Sequence, residues 1–321
     1  MNETRLAVVG GTVVDLILLG IDRLPAWPRH TEFTSSNLVT FPAPPLLTLG
    51  GNGANAAFVA SRCGATVTLH TTIASDTLGR LARGWLENAG CEIRSPRAAS
   101  TAVNVTAADR RFRRATFFHP GVPAAMPRLS AATAARRPHA ALVCGWPHPP
   151  LEQIAGEFAA LRRQNVLTAI DVGPFLTRPW RLAALEPVLA SLDLFLANAH
   201  EVKHLARVDT LPAALRRLRR HHRGHIVIKR GPAGALWIPA GEDRAQAVPA
   251  KRVQTLNTIG AGDSFNGALL AALLGGAPFP SALRQANEVA ARVVASPGGV
   301  LAVKPSRRSN AGASPRGCPS R

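Results

Sequence analysis

NTIGAGDSFNG, residues 257–267, is the most informative segment of the chain and comes directly before a helical run of Ala and Leu. The small residues Gly260, Ala261 and Gly262 let the backbone turn tightly, so that successive N–H groups and the positive end of the helix dipole can face one anion. Asp263 follows in the first helical turn, where its carboxylate can accept a proton from a hydroxyl group that attacks phosphorus. Alternatively, Asp263 only complements the helix dipole.

GGNGAN, residues 50–55, is a second glycine-rich segment, and it leads into an apolar helical pattern. Glycines at this point, Gly51 among them, allow a ligand to approach the backbone closely. Asn52 and Asn55 carry amide donors and acceptors that suit hydroxyl groups. The alternative for Asn52 is that it serves as the N-cap of the helix.

Short β-branched runs alternate with longer segments of helical period along most of the chain, which is the pattern of a sheet flanked by crossover helices. The predicted strands are Leu6–Gly10, Val67–Ile73, Ala140–Cys144, Val166–Asp171, Leu192–Ala197 and His225–Lys229. The predicted helices are Ala54–Cys63, Thr77–Ala89, Leu151–Arg163, Ala199–Arg207, Pro212–Arg220, Gly262–Leu274 and Ser281–Ser296. We therefore expect an α/β fold.

Two regions interrupt this alternation, residues 12–48 and residues 100–120. The first contains a strand-like TVVDLILLG, and the second contains AVNVTAADRRFRRATFF, which predicts a hairpin that turns near Asp109. Neither fits a helical crossover, so together they are expected to form a small separate sheet, a lid over the main domain. The tail, residues 306–321, has almost no apolar residues and is predicted to be disordered.

The two glycine-rich segments together resemble the signature motifs of the ribokinase-like, or PfkB, family of carbohydrate kinases. The resemblance extends from about Arg5 to Lys304, and it includes Asp76 and Gly79 in ASDTLG, where Ala74 replaces the first glycine of a family G-x-D-x-x-G run. It implies that residues 1–305 form one kinase domain of three layers, with a mainly parallel central sheet between helices and a small β-sheet lid. It also implies that the lid can be shared across a homodimer.

The resemblance further implies roles for individual residues at the reacting groups. Asp263 is expected to be the catalytic base, with Gly260, Ala261 and Gly262 as the anion hole. The residues expected to contact the acceptor substrate are Asp15, Gly51, Asn52 and Asn55. To these the sequence adds His119, which follows the second lid strand.

Nucleotide and metal contacts are implied in the same way. The residues expected at the nucleotide are Asn198, Gly231, Gly234 and Asn287, and Asn198 and Glu201 form an N-x-x-E motif that acts with magnesium and phosphate. Lys229 stands where threonine is frequent; it either reaches a nucleotide phosphate or, as we expect in preference, faces solvent. Asn257 stands where many relatives have an aspartate that helps to hold a monovalent cation, and the loss of this carboxylate weakens the attraction for potassium.

HEVKH, residues 200–204, also matches the H-E-x-x-H pattern of zinc proteases, in which two histidines on one helix face bind zinc. A catalytic zinc site needs a third ligand. Arg207 and Thr210 occupy the positions of the extended G-x-x-H form, so a protease is not favoured.

The overall composition limits the remaining classes of function. The 321 residues include 38 basic and 19 acidic side chains, a formal charge of +19, which favours anionic ligands. Because only four of the bases are lysine and tyrosine is absent, the arginine surplus resembles a codon bias and argues against nucleic-acid binding. Four cysteines far apart in sequence predict reduced thiols. No signal peptide or apolar run of about 18 residues is evident, so we expect a cytoplasmic protein without a membrane span.

We therefore expect an ATP- and magnesium-dependent kinase that phosphorylates a hydroxyl of a sugar or sugar-like molecule. A nucleoside kinase of the same family is an alternative, because the lid contains aromatic residues that can stack on a base: Trp27, Phe33, Phe41, Phe112, Phe117 and Phe118. A catalytically silent sugar sensor is a second alternative, against which the complete GAGD argues. The hairpin arginines either bind a phosphorylated sugar or are merely exposed; they are Arg110, Arg111, Arg113 and Arg114.

Overall fold

The computed structural model of this chain describes residues 4–22, 38–110, 113–123, 128–129, 137–145, 151–173 and 182–306. The strands in chain order are β1 Arg5–Val9, β2 Val13–Ile21, β3 Leu46–Gly50, β4 Thr66–His70, β5 Glu92–Arg94, β6 Ala102–Asp109, β7 Arg114–His119, β8 Ala140–Cys144, β9 Leu167–Asp171, β10 Leu194–Asn198, β11 His225–Lys229, β12 Ala235–Ile238 and β13 Gln246–Val248. The helices are α1 Asn52–Arg62, α2 Thr77–Asn88, α3 Leu151–Arg163, α4 Leu182–Ala190, α5 Ala199–Ala206, α6 Leu211–His221, α7 Ala261–Leu274 and α8 Phe279–Val294. The predicted disordered tail beyond Ser306 lies outside the described residues.

The main sheet has nine strands in the order β13-β12-β11-β10-β9-β8-β1-β4-β5. The seven strands from β11 to β5 are parallel, whereas β12 pairs antiparallel with β11 and the edge strand β13 pairs antiparallel with β12. Because the inner strands of a parallel sheet are covered on both faces, their central residues are apolar, as in the fully buried AALVC of β8. The predicted α/β fold with a mainly parallel sheet is thereby confirmed.

Helices cover both faces of the sheet, which gives three layers. Along β10, Leu194 and Leu196 point into one core with α1, α2, α7 and α8, whereas Phe195 and Ala197 point into the other core with α3 to α6. This alternation follows from the two-residue period of a strand. Each face of the central sheet therefore has its own hydrophobic core.

A close crossing of α1 and α7 brings the two glycine-rich segments together. A Cβ atom on Gly267 of α7 would lie 2.2 Å from the carbonyl oxygen of Ala56 in α1, so a side chain there would push the helices apart. Both helices begin at the same edge of the sheet, and both carry predicted site residues in their first turns. The glycine thus fixes the distance between these two first turns.

A second sheet of four strands, in the order β3-β2-β6-β7, lies beside the main domain and confirms the predicted lid sheet. Its hairpin turns after Asp109, whose carboxylate accepts a hydrogen bond from the backbone N–H of Arg113. Asp76, the N-cap of α2, accepts hydrogen bonds from the backbone N–H of Gly79 and from the N–H and hydroxyl of Thr101. The ASDTLG segment therefore fastens the start of β6 to the main domain.

Some elements were not predicted from the sequence. Helix α4 is a short apolar run that contains Pro187, so its sequence does not show the hydrophobic period of a helix. Strands β5 and β13 have only three residues each, which is too few to show the two-residue period of a strand. No helix in the described ranges is long and apolar enough to cross a bilayer. The described cysteines Cys63, Cys91 and Cys144 are free thiols, as predicted, and Cys318 lies outside these ranges.

Candidate active site

A cavity of about 990 Å³ opens between the lid sheet and the carboxyl ends of the central strands. Cys144, Asp171, Asn198 and Lys229 line it, and each of them is the last residue of its strand, from β8 to β11. Ligands of open α/β sheets bind at this edge. The size matches that of sites for nucleotide-sized ligands.

The first turn of α7 forms one wall of the cavity. Gly260 is the N-cap of the helix with φ of 76°, a left-handed conformation that glycine adopts without strain. A Cβ atom at this position would also lie 2.8 Å from Val300. Gly260, Ala261 and Gly262 all line the cavity, so the unpaired N–H groups of the first helical turn are at its surface. This arrangement can bind an anion such as a phosphoryl group.

Asp263 lies next in the same turn, lines the cavity and is half-buried. Its Oδ2 accepts a hydrogen bond from Nδ2 of Asn55 at 3.2 Å. Burial, followed by repulsion from Asp171, raises the pKa of Asp263 to about 7, although Lys229 and Asn55 counteract this increase. A carboxylate with such a pKa is suited to accept a proton near neutral pH.

Lys229 points into the site and not to solvent, so the preferred expectation from the sequence is wrong. Its Nζ lies 2.8 Å from Oδ1 of Asp171 and 3.2 Å from Oδ1 of Asn266, and its side chain is only 13% exposed. The physical reason is the partner: a carboxylate at the end of β9, two strands away, offsets the cost of burying the ammonium group.

Asn198 and Glu201 form a capping box at the start of α5. The Asn198 side chain accepts a hydrogen bond from the Glu201 N–H, and the Glu201 carboxylate accepts one from the Asn198 N–H. Burial and then repulsion from Asp171 raise the pKa of Glu201. Both residues line the cavity. Within the described ranges no three His, Cys, Asp or Glu side chains are grouped to hold a metal, so no third ligand joins the histidines of the HEVKH segment there.

The lid side of the cavity carries Asp15 and Asn104. Asp15 is buried, its Oδ1 accepts a hydrogen bond from Nδ2 of Asn104 at 2.9 Å, and burial raises its pKa while this bond lowers it. A Cβ atom on Gly50 would lie 2.3 Å from Oδ2 of Asp15, so the first glycine of GGNGAN makes room for this carboxylate. The Asp15–Asn104 pair is therefore available to bind hydroxyl groups.

Gly51, Asn52 and Asn55 line the same cavity. Gly51 is the N-cap of α1, with φ of 85°, so the alternative that Asn52 caps this helix is wrong. The Oδ1 atom of Asn55 is buried and has no hydrogen-bond partner among the described residues. A buried acceptor of this kind fits a site that a hydroxyl-bearing ligand completes.

His119 is not among the residues that line the cavity, contrary to the expectation that it faces the substrate. On β7 the side chains of Arg114, Thr116 and Phe118 face the cavity, and strand alternation turns His119 to the opposite face. There its Nε2 lies 3.0 Å from Oγ of Ser100. A one-residue difference in position thus removes His119 from the site.

The lid arginines and aromatics divide between two faces. Arg110 pairs with Asp22 and Arg113 with Asp109, whereas Arg114 lines the cavity. Phe118 also lines it, whereas the preceding Phe117 is 61% exposed on the other face. Four of the residues named from the sequence lie outside the described ranges: Trp27, Phe33, Arg111 and Phe112.

The predicted nucleotide residues lie at the far end of the cavity, near the edge strands. Gly231, Gly234 and Asn287 line it. Asn287 donates hydrogen bonds to the carbonyl oxygens of Val248 and Pro249, and a Cβ atom on Gly234 would lie 2.1 Å from the Val248 oxygen. These residues therefore hold α8 and the strand edge together as one wall.

Asn257 is buried and is not among the lining residues. Its Oδ1 accepts a hydrogen bond from the backbone N–H of Ile259 at 2.9 Å, which braces the loop before Gly260. The Asn257 amide is neutral and therefore lacks the negative charge with which an aspartate at this position would attract a cation.

Residues 42–306 match the pfkB family of carbohydrate kinases. The chain belongs to this family. A nucleoside kinase of Methanothermobacter thermautotrophicus is 26% identical over 304 residues, which cover 93% of this chain and 92% of that protein. The match between sequence, fold and cavity makes this chain a kinase of the ribokinase-like type.

Solved structures of pfkB-type kinases share the fold. Arabidopsis thaliana ribokinase, in complex with ribose and ATP, superposes with a TM-score of 0.75 at 20% identity and covers 96% of this chain and 97% of that one. Methanocaldococcus jannaschii nucleoside kinase gives a TM-score of 0.71 at 17% identity, over 95% of this chain and 96% of that one. At these identities the similarity establishes the three-layer fold with its lid sheet.

Sequence reasoning missed Asp171, Asn104 and Asn266 as members of the site. Asp171 had a detectable signal, because it ends a buried strand at the edge where the other site residues lie. Sequence spacing does not reveal Asn104 or Asn266, because each contacts the site through a residue that is distant in sequence. Asn104 bonds to Asp15, and Asn266 bonds to Lys229.

Proposed function

We propose that this chain is an ATP-dependent phosphotransferase that phosphorylates a hydroxyl group of a sugar or sugar-like small molecule. The observation that carries the proposal is the position of Asp263, a half-buried carboxylate with a pKa of about 7 beside three cavity-lining residues of a helix N-terminus. A proton acceptor and an anion-binding turn side by side are the two requirements of phosphoryl transfer to an alcohol.

In the proposed reaction the acceptor lies between Asp263 and the lid. Asp263 takes the proton of the acceptor hydroxyl, and the oxygen attacks the terminal phosphorus of ATP. The N–H groups at Gly260, Ala261 and Gly262 bind the oxygens of the phosphoryl group as their charge shifts. The lid sheet excludes water, which would otherwise accept the phosphoryl group in place of the sugar.

The residues on the two ends of the cavity support a division of labour. Asp15, Gly51, Asn52 and Asn55 line the end toward the lid, where we place the acceptor. Asn198, Lys229, Gly231, Gly234 and Asn287 line the other end, where we place ATP. A ribokinase in complex with ribose and ATP has the same fold, which is consistent with this placement.

Magnesium fits the chemistry of the cavity. The carboxylates of Asp171, Glu201 and Asp263 line the cavity near the ammonium group of Lys229, so oxygen atoms of the kind that Mg²⁺ prefers are present, although they do not converge on one point. We propose that Glu201 and Asn198 hold the ion through its water ligands, since no three such side chains converge within the described ranges. When bound, the ion neutralises negative charge on the phosphates. We propose no role for potassium, because Asn257 lacks the carboxylate charge that would attract the ion.

A nucleoside is the second candidate acceptor. The relative from Methanothermobacter thermautotrophicus is a nucleoside kinase, and Phe118 offers a ring at the lid side of the cavity on which a base can stack. A catalytically silent sugar sensor is less well supported, since the base and the anion-binding turn are both in place.

The test is ATP turnover by the full chain with a panel of pentoses, hexoses, keto-deoxy sugars and nucleosides, measured as ADP release with Mg²⁺ present. We expect one class of acceptor to raise ADP release at least about tenfold over the rate with water alone. Turnover with nucleosides only selects the second candidate. Saturable sugar binding by calorimetry without turnover of any acceptor would support the sensor and contradict the proposal.

We also propose that the lid mediates a homodimer. Leu47, Leu16, Val105 and Phe117 stand side by side across all four lid strands, on the face away from the cavity. Leu47 is 41% and Phe117 61% exposed, which leaves apolar area that a second lid can cover. Light scattering after size exclusion should give twice the mass of one chain for the wild-type protein and the mass of a single chain for Phe117→Ser. A monomeric wild-type protein would contradict the proposal.

A further inference from the structure

The ammonium group of Lys229 lies against the first turn of α7, beside the proposed anion hole. Gly262 and Asn266 lie one helical turn apart on the same face of α7, and the lysine runs along that face. Its Nζ would lie 3.5 Å from a Cβ atom on Gly262 and is 3.2 Å from Oδ1 of Asn266. Gly262 therefore leaves the space that brings a positive charge next to the proposed anion hole.

Asp171 fixes the position of this charge. Lys229 ends β11 and Asp171 ends β9, so the side chain reaches past the end of β10 to form a bond of 2.8 Å. The Asp171 side chain is 4% exposed, which makes the pair nearly dry. A buried ion pair is a weak source of stability, because the cost of removing both charges from water offsets their attraction. A role at the site explains its presence better than stability does.

The ammonium group retains one hydrogen for a ligand. Two of its three N–H groups point at Asp171 and Asn266, and no other acceptor among the described residues takes the third. Lys229 lines the cavity beside Gly260, Ala261 and Gly262. The oxygens of a phosphoryl group bound at that turn are the acceptors within its reach.

We propose that Lys229 is a catalytic residue, whose ammonium group, held by Asp171 and Asn266, donates a hydrogen bond to the phosphoryl group while it is transferred. This inference rests on the proposed function and extends it. In the step, the acceptor O–H bond breaks and its proton passes to Asp263, while the oxygen forms a bond to the terminal phosphorus. The bond from that phosphorus to the bridging oxygen breaks, and ADP leaves with the electron pair. Lys229 keeps its protons throughout.

The same charge sets the proton affinity of the base. The ionisable groups around Lys229 are Asp171 from β9, Glu201 from α5, Asp263 from α7 and Cys144 from β8. Burial opposes the charged lysine, but Asp171 and Glu201 outweigh it and raise the pKa of Lys229, so it stays an ammonium ion. Burial, Asp171 and Asp263 raise the pKa of Cys144 well above its usual value, so it stays a neutral thiol. Asp171 raises the pKa of Asp263 and Lys229 lowers it.

The kcat of a Lys229 variant separates a catalytic ammonium group from a merely structural ion pair, and the pH profile checks that both charges act on Asp263. The full chain and its variants are assayed with Mg²⁺, ATP and the best acceptor of the panel, as kcat, KM and the pH dependence of kcat/KM. Lys229→Met should lower kcat about 10²- to 10³-fold, as loss of one donor to a developing oxyanion does. It should also move the acid limb of the pH profile to higher pH, whereas Asp171→Asn should move it to lower pH.

Folding is controlled by removing both charges at once. Lys229→Met alone leaves Asp171 buried without a partner, which can cost enough stability to unfold the protein. The double variant Asp171→Asn/Lys229→Met avoids this, and it should fold, as judged by circular dichroism and thermal melting, yet keep the low kcat. Lys251→Met, on an exposed residue outside the cavity, should match the wild type. Lys229→Ala should regain activity with propylammonium, which replaces the side chain beyond Cβ.

The inference is overturned if folded Lys229→Met and the double variant keep kcat within about threefold of the wild type while Asp263→Asn is inactive. It is also overturned if Asp171→Asn and Lys229→Met move the acid limb in the same direction. Absence of turnover by the wild type with every acceptor overturns the proposed function, and this inference with it.

Discussion

Replacement of Asn55 by alanine should change the pH at which the enzyme becomes active. Asn55 donates to Asp263 at 3.2 Å and thereby stabilises its ionised form. A hydrogen bond to a charged group contributes about 1.5–3 kcal/mol, and one pKa unit corresponds to about 1.4 kcal/mol, so the acid limb should move up by about one to two pH units. Because the pKa of Asp263 is about 7, we expect the wild-type limb near pH 7, and the change in the base alone should then lower kcat/KM at pH 7 roughly 5- to 50-fold.

The assay is kcat/KM for the best acceptor between pH 5.5 and pH 10, with thermal melting to show that the variant is folded. Asn55→Ala should regain activity as the pH rises, toward a plateau that is lowered by the loss of the proposed contact between Asn55 and the acceptor, so the pH of the limb and not the height of the plateau reports the change in the base. Asn52→Ala is the matched control: it removes an amide from the same helix and cavity, but Asn52 is not bonded to Asp263, so its limb should stay near pH 7. An unmoved limb in Asn55→Ala refutes the assignment of Asp263 as the titrating base.

Two further predictions concern stability. Gly267→Ala should destabilise the fold by about 2–4 kcal/mol in urea denaturation, because the new Cβ would lie 2.2 Å from the Ala56 oxygen. Gly84→Ala is the control: its Cβ meets nothing within 4 Å, so it should stabilise the fold by about 0.5–1 kcal/mol. Equal effects of the two substitutions would contradict the close packing of α1 and α7 at Gly267. Nδ1 of His225 accepts hydrogen bonds from the indole of Trp237 and a backbone N–H, and burial lowers the pKa of His225. As the pH falls below about 6.5, His225 therefore takes up a proton more readily in the unfolded chain than in the folded one, so the free energy of unfolding should decline. His225→Phe should make this decline with pH less steep. An unchanged slope of the unfolding free energy against pH would contradict this role of His225.

Most elements and the glycine-rich turn before α7 were predictable because their signals are local. A helix start shows itself within one turn of sequence, as at GAGD, and a buried strand shows itself as a short apolar run, as at Ala140–Cys144. Strand ends also place residues at one edge of a parallel sheet without further information. These two rules point to Asp263 and the turn before it, whereas the predicted roles of Asp15, Asn198 and Asn287 came only from the resemblance to the family.

The direction of individual side chains was not predictable, because it depends on partners far away in sequence. Lys229 points inward because Asp171, 58 residues earlier in the sequence, lies at the end of β9, two strands away in the sheet. His119 misses the cavity because the hairpin register places Phe118, and not His119, on the cavity face. In a strand, an error of one residue reverses the face.

The most direct measurement for the whole account is made on Asp263→Asn. Asparagine keeps an oxygen that can accept the hydrogen bond from Asn55, so the fold and the anion-binding turn should persist. Calorimetric ATP affinity should stay within about threefold of the wild type, while kcat should fall by about three orders of magnitude, because no base remains to take the hydroxyl proton. Near-normal turnover by this variant would contradict the account.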